Sequence, residues 1–195
     1  MNYLGHLPQN DPLYGYLRYD ILPQIGINGI SPNFRVYKIQ ASNHVYLYED
    51  RRSQTRLIGK FFGDVSDRAP QNAFRCMERE FNNLHYLRGI GFTGYPHYIA
   101  RPLSRNASLN CVLVEEFCCG TALNDFILKA IWKGEREALF GKLTALAYFL
   151  ATLHNRTAAA DRVDFNRDCS YFDRIMGQLK NWGHIGWDEA QEFYR

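Results

Sequence analysis

The sequence predicts an α+β fold: a five-stranded antiparallel sheet with one helix, followed by a helical region. Three observations carry that prediction. Three β-branched and aromatic runs come first, at residues 34–39, 45–48 and 56–62, separated by polar turns. Between Pro70 and Gly89, apolar residues then recur every three or four positions. Beyond Cys119-Gly120 the pattern is helical.

The first two runs flank Ala41-Ser-Asn-His44, the turn of a hairpin, and residues 51–54 form the next turn, so three successive strands make a meander. Phe74, Met77, Phe81, Leu84 and Leu87 lie on one face of an amphipathic helix that Gly89 ends. Residues 98–103 and 111–117 read as two further strands around a polar turn at 104–110. Leu139, Leu143, Leu146, Leu150 and Leu153 form a helical stripe closed by His154, and residues 171–195 read as helical pieces interrupted at Gly183 and Gly186. The predicted organisation is an N-terminal extension over 1–32, in which 13–22 is a short helix closed by Pro23. A sheet domain over 33–117 and a helical part over 118–195 follow.

Composition narrows the class. With 46% apolar and 15% aromatic residues among 195, the chain builds a core. Its 23 basic and 20 acidic residues balance too evenly to point to nucleic acid, and most aromatic residues fall on core positions of strands and helices rather than on a stacking platform. Cys76, Cys111, Cys118, Cys119 and Cys169 include no C-x-x-C spacing, and the histidines have no metal-ligand spacing. The amino terminus lacks a basic region followed by an apolar one, and no apolar run approaches the roughly 18 residues of a membrane span. A cytoplasmic protein with reduced thiols and no membrane partner is expected.

Lys60 stands between Ile58 and Phe61-Phe62, so an apolar strand carries a cation. Two carboxylates on the following helix, Glu78 and Glu80, compete to be its partner. At about 100° per residue, Glu80 falls within the arc of Met77, Leu84 and Leu87, whereas Glu78 lies outside it. A carboxylate on a buried face needs a partner, because an unpaired buried charge is costly. Lys60 is the predicted partner of Glu80. In a competing arrangement Lys60 reaches to solvent and Glu80 pairs with Arg79 or Arg88 on a wet surface.

The stretch Ala41-Ser42-Asn43-His44-Val45-Tyr46, then Lys60, then Glu80 with Leu84 four residues on, resembles the start of the aminoglycoside phosphotransferase and choline kinase superfamily. Val112-Leu-Val-Glu-Glu-Phe-Cys-Cys-Gly-Thr-Ala-Leu123 is similar to that family's strand-to-hinge segment, and Ala151-Thr-Leu-His154 to the close of its first long C-lobe helix. The resemblance implies a kinase-like N-lobe followed by the first helices of an incomplete helical C-lobe. It implies that Lys60 contacts the phosphates of ATP, that Glu80 orients Lys60, and that Ser42 and Asn43 lie in the turn above the phosphates. The carbonyl of Glu116 and the N–H of Cys118 would read the adenine edge. ATP with Mg²⁺ would pass a phosphoryl group to a hydroxyl of a small-molecule acceptor. Ala41 departs from the family's usual glycine, whose missing side chain lets the backbone approach phosphate closely.

The family's His-Gly-Asp catalytic loop has no match. Asn166-Arg167-Asp168, with Asp173 five positions on, is a superficial likeness better explained as a polar loop capping a helix. The expectation is therefore the ATP-binding portion of a phosphotransferase whose catalytic residues are not in this chain. The alternative is a non-catalytic nucleotide-sensing or partner-binding module.

Overall fold

A computed structural model describes residues 1–41, 44–63, 70–158 and 169–192. The chain divides into two units, residues 1–150 and 151–195. The first is built on a six-stranded antiparallel sheet. Its strands are β1 (Asn2–His6), β2 (Arg35–Ile39), β3 (His44–Asp50), β4 (Thr55–Phe61), β7 (Pro102–Asn106) and β8 (Val112–Glu116). They lie in the order β1-β2-β3-β4-β8-β7. Helix α2 (Pro70–Gly89) and a small hairpin of β5 (Thr93–Gly94) and β6 (His97–Tyr98) connect β4 to β7. The last strand thereby returns to lie beside β4.

The predicted five strands become six because the amino terminus supplies β1. Asn2 pairs with Lys38 and His6 with Arg35, and the register shifts between Tyr3 and Gly5, whose φ is 127°. β1 is mostly exposed on both faces, so it shows no apolar alternation; backbone pairing to β2 holds it in place. The expected strand over 98–103 also shifts. His97–Tyr98 belongs to the small hairpin, and Pro102–Asn106 forms the other edge of the sheet. Its polar Ser104, Arg105 and Asn106 read as turn residues, yet an edge strand tolerates them, with a proline at its start.

Residues 1–32 are part of the core rather than an appendage. Asp11 accepts the N–H of Leu13 and caps α1 (Pro12–Tyr16), which runs on through a wide turn at Leu17–Ile21 and a tight turn at Leu22–Ile25. Pro23 does not close this segment as expected. It sits in the first turn of the tight piece, where its missing N–H is not needed, and Gly26 ends the run at φ 81°. Leu13, Tyr14, Leu17, Ile21 and Leu22 pack with Phe34, Tyr48, Leu57, Val112 and Val114 into the main core cluster. Asp50, 1% exposed, accepts the N–H of Asn33 at 3.1 Å and both the N–H and hydroxyl of Ser53, at 3.1 and 2.6 Å. Burial pushes its carboxyl up, and these hydrogen bonds outweigh that and hold it below the usual range.

Helix α2 packs Ala73 and Met77 against Phe62 and Leu113 on the opposite sheet face. After β8 come α3 (Leu123–Lys133) and α4 (Arg136–Thr157). The leucine stripe is real but uncovered: Leu143, Leu146 and Leu150 are 39%, 38% and 40% exposed, and Ile131 and Trp132 of α3 are exposed as well. Periodicity marks the face a helix offers, not what covers it. In the second unit, α5 (Ser170–Asn181) ends where the N–H of His184 bonds the carbonyl of Leu179 across Gly183, whose φ is 70°. In α6 (Trp187–Glu192), the Trp187 ring lies 4.2 Å from the ammonium of Lys180. Among the described residues, no helix is long and apolar enough to cross a membrane.

These burials set opposite expectations for two leucines. Leu17→Ala, at a fully buried site, is expected to lower unfolding free energy by roughly 2–5 kcal/mol. Leu146→Ala is expected to change it by no more than about 0.5 kcal/mol. Urea denaturation of both variants checks the contrast.

Candidate functional site

Sheet register gathers the site. In the ladder Lys60 stands opposite Val45 and Leu113, and Ile58 opposite Leu47 and Glu115. Side chains two apart along a strand share a face, so Val45, Leu47, Ile58, Lys60, Leu113 and Glu115 all project to one side. Met77 anchors α2 against Leu113, and Glu80, one turn further along the helix, meets the sheet at Lys60. Lys60 Nζ lies 2.8 Å from Glu80 Oε1 and 2.8 Å from Glu115 Oε1. The predicted Lys60–Glu80 pair is present, and a second carboxylate joins it.

Glu115 is the residue that sequence reasoning missed. Its side chain is 8% exposed, against 24% for Lys60 and 33% for Glu80. Among the described residues, Glu115 Oε2 is buried without a hydrogen-bond partner. Burial pushes the Glu115 carboxyl up, and the Lys60 ammonium only partly opposes it. Burial pulls Lys60 down, but Glu115 and Glu80 together outweigh it and hold the ammonium above its ordinary range. Lys60 is thus a fixed cation.

Glu78 finds a different partner. It pairs with Arg105 of β7, whose guanidinium lies 4.0 Å from the Phe81 ring centroid. Two glutamates therefore tie α2 to the sheet, as the helical angles require: Glu80 toward β4 and Glu78 toward the β7 edge.

Glu116 uses its side chain as well as its backbone. Its Oε1 accepts the hydroxyl of Tyr98 and the N–H of Arg101 at 2.6 Å, with Arg88 Nη1 at 3.8 Å, while its N–H bonds the carbonyl of Arg101 at 3.0 Å. The end of β8 is fixed by these contacts. Phe117 follows and packs on the apolar patch of Val45, Leu47 and Ile58, with the guanidinium of Arg56 5.5 Å from its ring centroid. A cavity of about 760 Å³ opens beside Phe117 and Cys119, walled also by Glu49, Arg51 and Arg56. It lies toward the β3–β4 turn, at the other end of the strands from Lys60. Cys118 is exposed, and burial with Glu116 and Glu115 nearby pushes its thiol up. Ser42, Asn43 and Asp168 lie outside the described residues, and Asp173 sits in the first turn of α5. Comparison with protein-family models, with curated proteins and with solved structures finds no match to this chain.

The geometry sets a pH-dependent stability. Lys60→Met leaves Glu115 buried without its partner and is expected to cost roughly 1–3 kcal/mol at neutral pH. Adding Glu115→Gln is expected to recover part of it. Because the folded pKa of Lys60 is raised, its stabilisation is complete below its ordinary value of 10.5 and fades as pH climbs through the folded value. The gap between wild type and Lys60→Met is therefore expected to narrow as pH climbs through that value, and to narrow also toward acid as Glu115, its carboxyl pushed up by burial, takes a proton in the variant, as read by urea unfolding across pH.

Proposed function

We propose that this chain is the ATP-binding portion of a small-molecule phosphotransferase of the aminoglycoside phosphotransferase-like kinase class. The observation that carries the reading is the Lys60 cluster: a strand-borne ammonium held by a helix carboxylate, 2.8 Å away, on the face that also carries an apolar patch. The order of elements supports it too. A three-strand meander, a helix and a hairpin whose last strand returns beside the third is the arrangement expected of a kinase-like N-lobe.

Phosphoryl transfer asks a protein to neutralise and align phosphate oxygens rather than to form bonds of its own. Lys60 spends two of its three N–H groups on Glu80 and Glu115, which fix where its charge points. The remaining N–H meets a phosphate oxygen of the nucleotide. Val45, Ile58 and Phe117 supply apolar surface for a base, and the chain from Glu116 to Cys118 supplies backbone groups for its edge. Among the described residues no group of three or more His, Cys, Asp or Glu side chains gathers as metal ligands, and in this reading Mg²⁺ arrives on the phosphates of the nucleotide. The phosphate acceptor, a hydroxyl of a small molecule, is assigned no residue.

A second reading, a non-catalytic nucleotide-sensing or partner-binding module, is favoured by the exposed apolar faces of α3 and α4. The two readings share nucleotide binding and differ in turnover.

Titration with ATP and Mg²⁺, followed by calorimetry, tests the shared claim. Wild type is expected to bind saturably, and Lys60→Met to bind at least about tenfold more weakly, with unfolding monitored in parallel. An affinity unchanged by Lys60→Met would overturn the nucleotide reading.

A further inference from the structure

We propose that the cavity between the sheet and the amino-terminal segment, on the face opposite Lys60, is a binding site for a small organic ammonium ion. The cavity holds about 340 Å³. Tyr46, Tyr48 and Phe61 wall it from β3 and β4, and Asp11 and Leu13 from the start of α1. This volume lies in the range of small-molecule sites, which combine apolar and aromatic walls with a few polar groups.

The three rings converge because one residue between them has no side chain. Tyr46 pairs across the ladder with Gly59. A Cβ on Gly59 would stand 2.8 Å from Cε2 of Tyr48 and 3.4 Å from Cε2 of Phe61, so bare backbone admits both rings over the strand. Phe61 in turn meets Tyr46 edge to face, with centroids 5.6 Å apart. Aromatic rings lining a cavity attract a cation through the negative charge of their faces.

The charges of the lining agree in sign. Asp11 is the one charged side chain among the described lining residues, which include no lysine, arginine or histidine. Asp11 Oδ1 accepts the N–H of Leu13 at 2.8 Å, which fixes the carboxylate at the cavity wall. Burial, then Tyr46 and Asp11, push the Tyr48 hydroxyl's pKa upward, so that group stays neutral and adds no competing charge. Three rings, one carboxylate and no cation suit an ammonium carrying apolar substituents. An anion would be repelled, and a neutral compound would leave the charge of the carboxylate unmatched. The site is separate from the Lys60 cluster, because Tyr46, Tyr48 and Phe61 point to the other side of the sheet from Val45, Ile58 and Lys60.

Benzyltrimethylammonium is the probe, titrated by calorimetry against neopentylbenzene, its neutral carbon isostere. The cation is expected to bind saturably and at least about fivefold more tightly than the isostere. Asp11→Asn removes the charge while keeping a side chain that caps a helix equally well, so the fold is retained. It is expected to weaken the cation roughly fivefold or more and to leave the isostere unchanged, and Tyr46→Leu to weaken the cation by a similar factor. Absence of saturable binding, equal affinity for the isostere, or an Asp11→Asn variant that binds the cation like wild type would each overturn the assignment.

Discussion

A lysine set on an otherwise apolar strand must keep its ammonium charge surrounded by something that replaces water. In this chain that role falls to two carboxylates, one from α2 and one from β8, each 2.8 Å away. The arrangement fixes more than a side chain. It sets how far along the sheet α2 lies, and it requires β8 rather than β7 to border β4. It also fixes the register of β4, since a one-residue slip would turn Lys60 onto the face filled by Tyr14, Leu17 and Phe34. An ammonium there would lose both Glu80 and Glu115 and meet aromatic and aliphatic carbon, a cost of several kcal/mol.

The two sheet faces are therefore specialised. One face carries α2, the Lys60 cluster and the patch around Val45, Leu47 and Ile58. The other is sealed by the amino-terminal helical run, whose Leu17 and Ile21 are fully buried. Asp50 links the two halves of that arrangement: its carboxylate holds Asn33, just ahead of β2, to the β3–β4 turn. A segment resembling an extension by composition thus completes the core.

What was legible in the sequence follows from what local periodicity encodes. The α2 stripe and the angular position of Glu80 could be read because both follow from the geometry of a single helix. Glu115 could not be, because Glu115 and Glu116 are adjacent at the end of an apolar strand and only the pairing with β4 decides which faces inward. β1 is hidden for a related reason: its side chains are mostly exposed, so nothing alternates, and its stability comes from backbone hydrogen bonds to a partner 29 to 36 residues away in sequence. Ser104 to Asn106 read as a turn because polar residues on an edge strand resemble loop residues. The leucines of α4 gave the right periodicity, but no helix can state in its own sequence what lies against it.

Both outer strands of the sheet share a feature that bears on how this protein behaves at high concentration. The pairing of β1 slips at Tyr3 and Gly5, and that of β7 slips between Pro102 and Ser104. A bulge twists the strand and breaks the even spacing of free backbone groups along its outer side. Neither border then presents the straight, unbroken row of donors and acceptors on which a stray chain adds itself. Fibril growth by sheet extension meets a ragged template at each end.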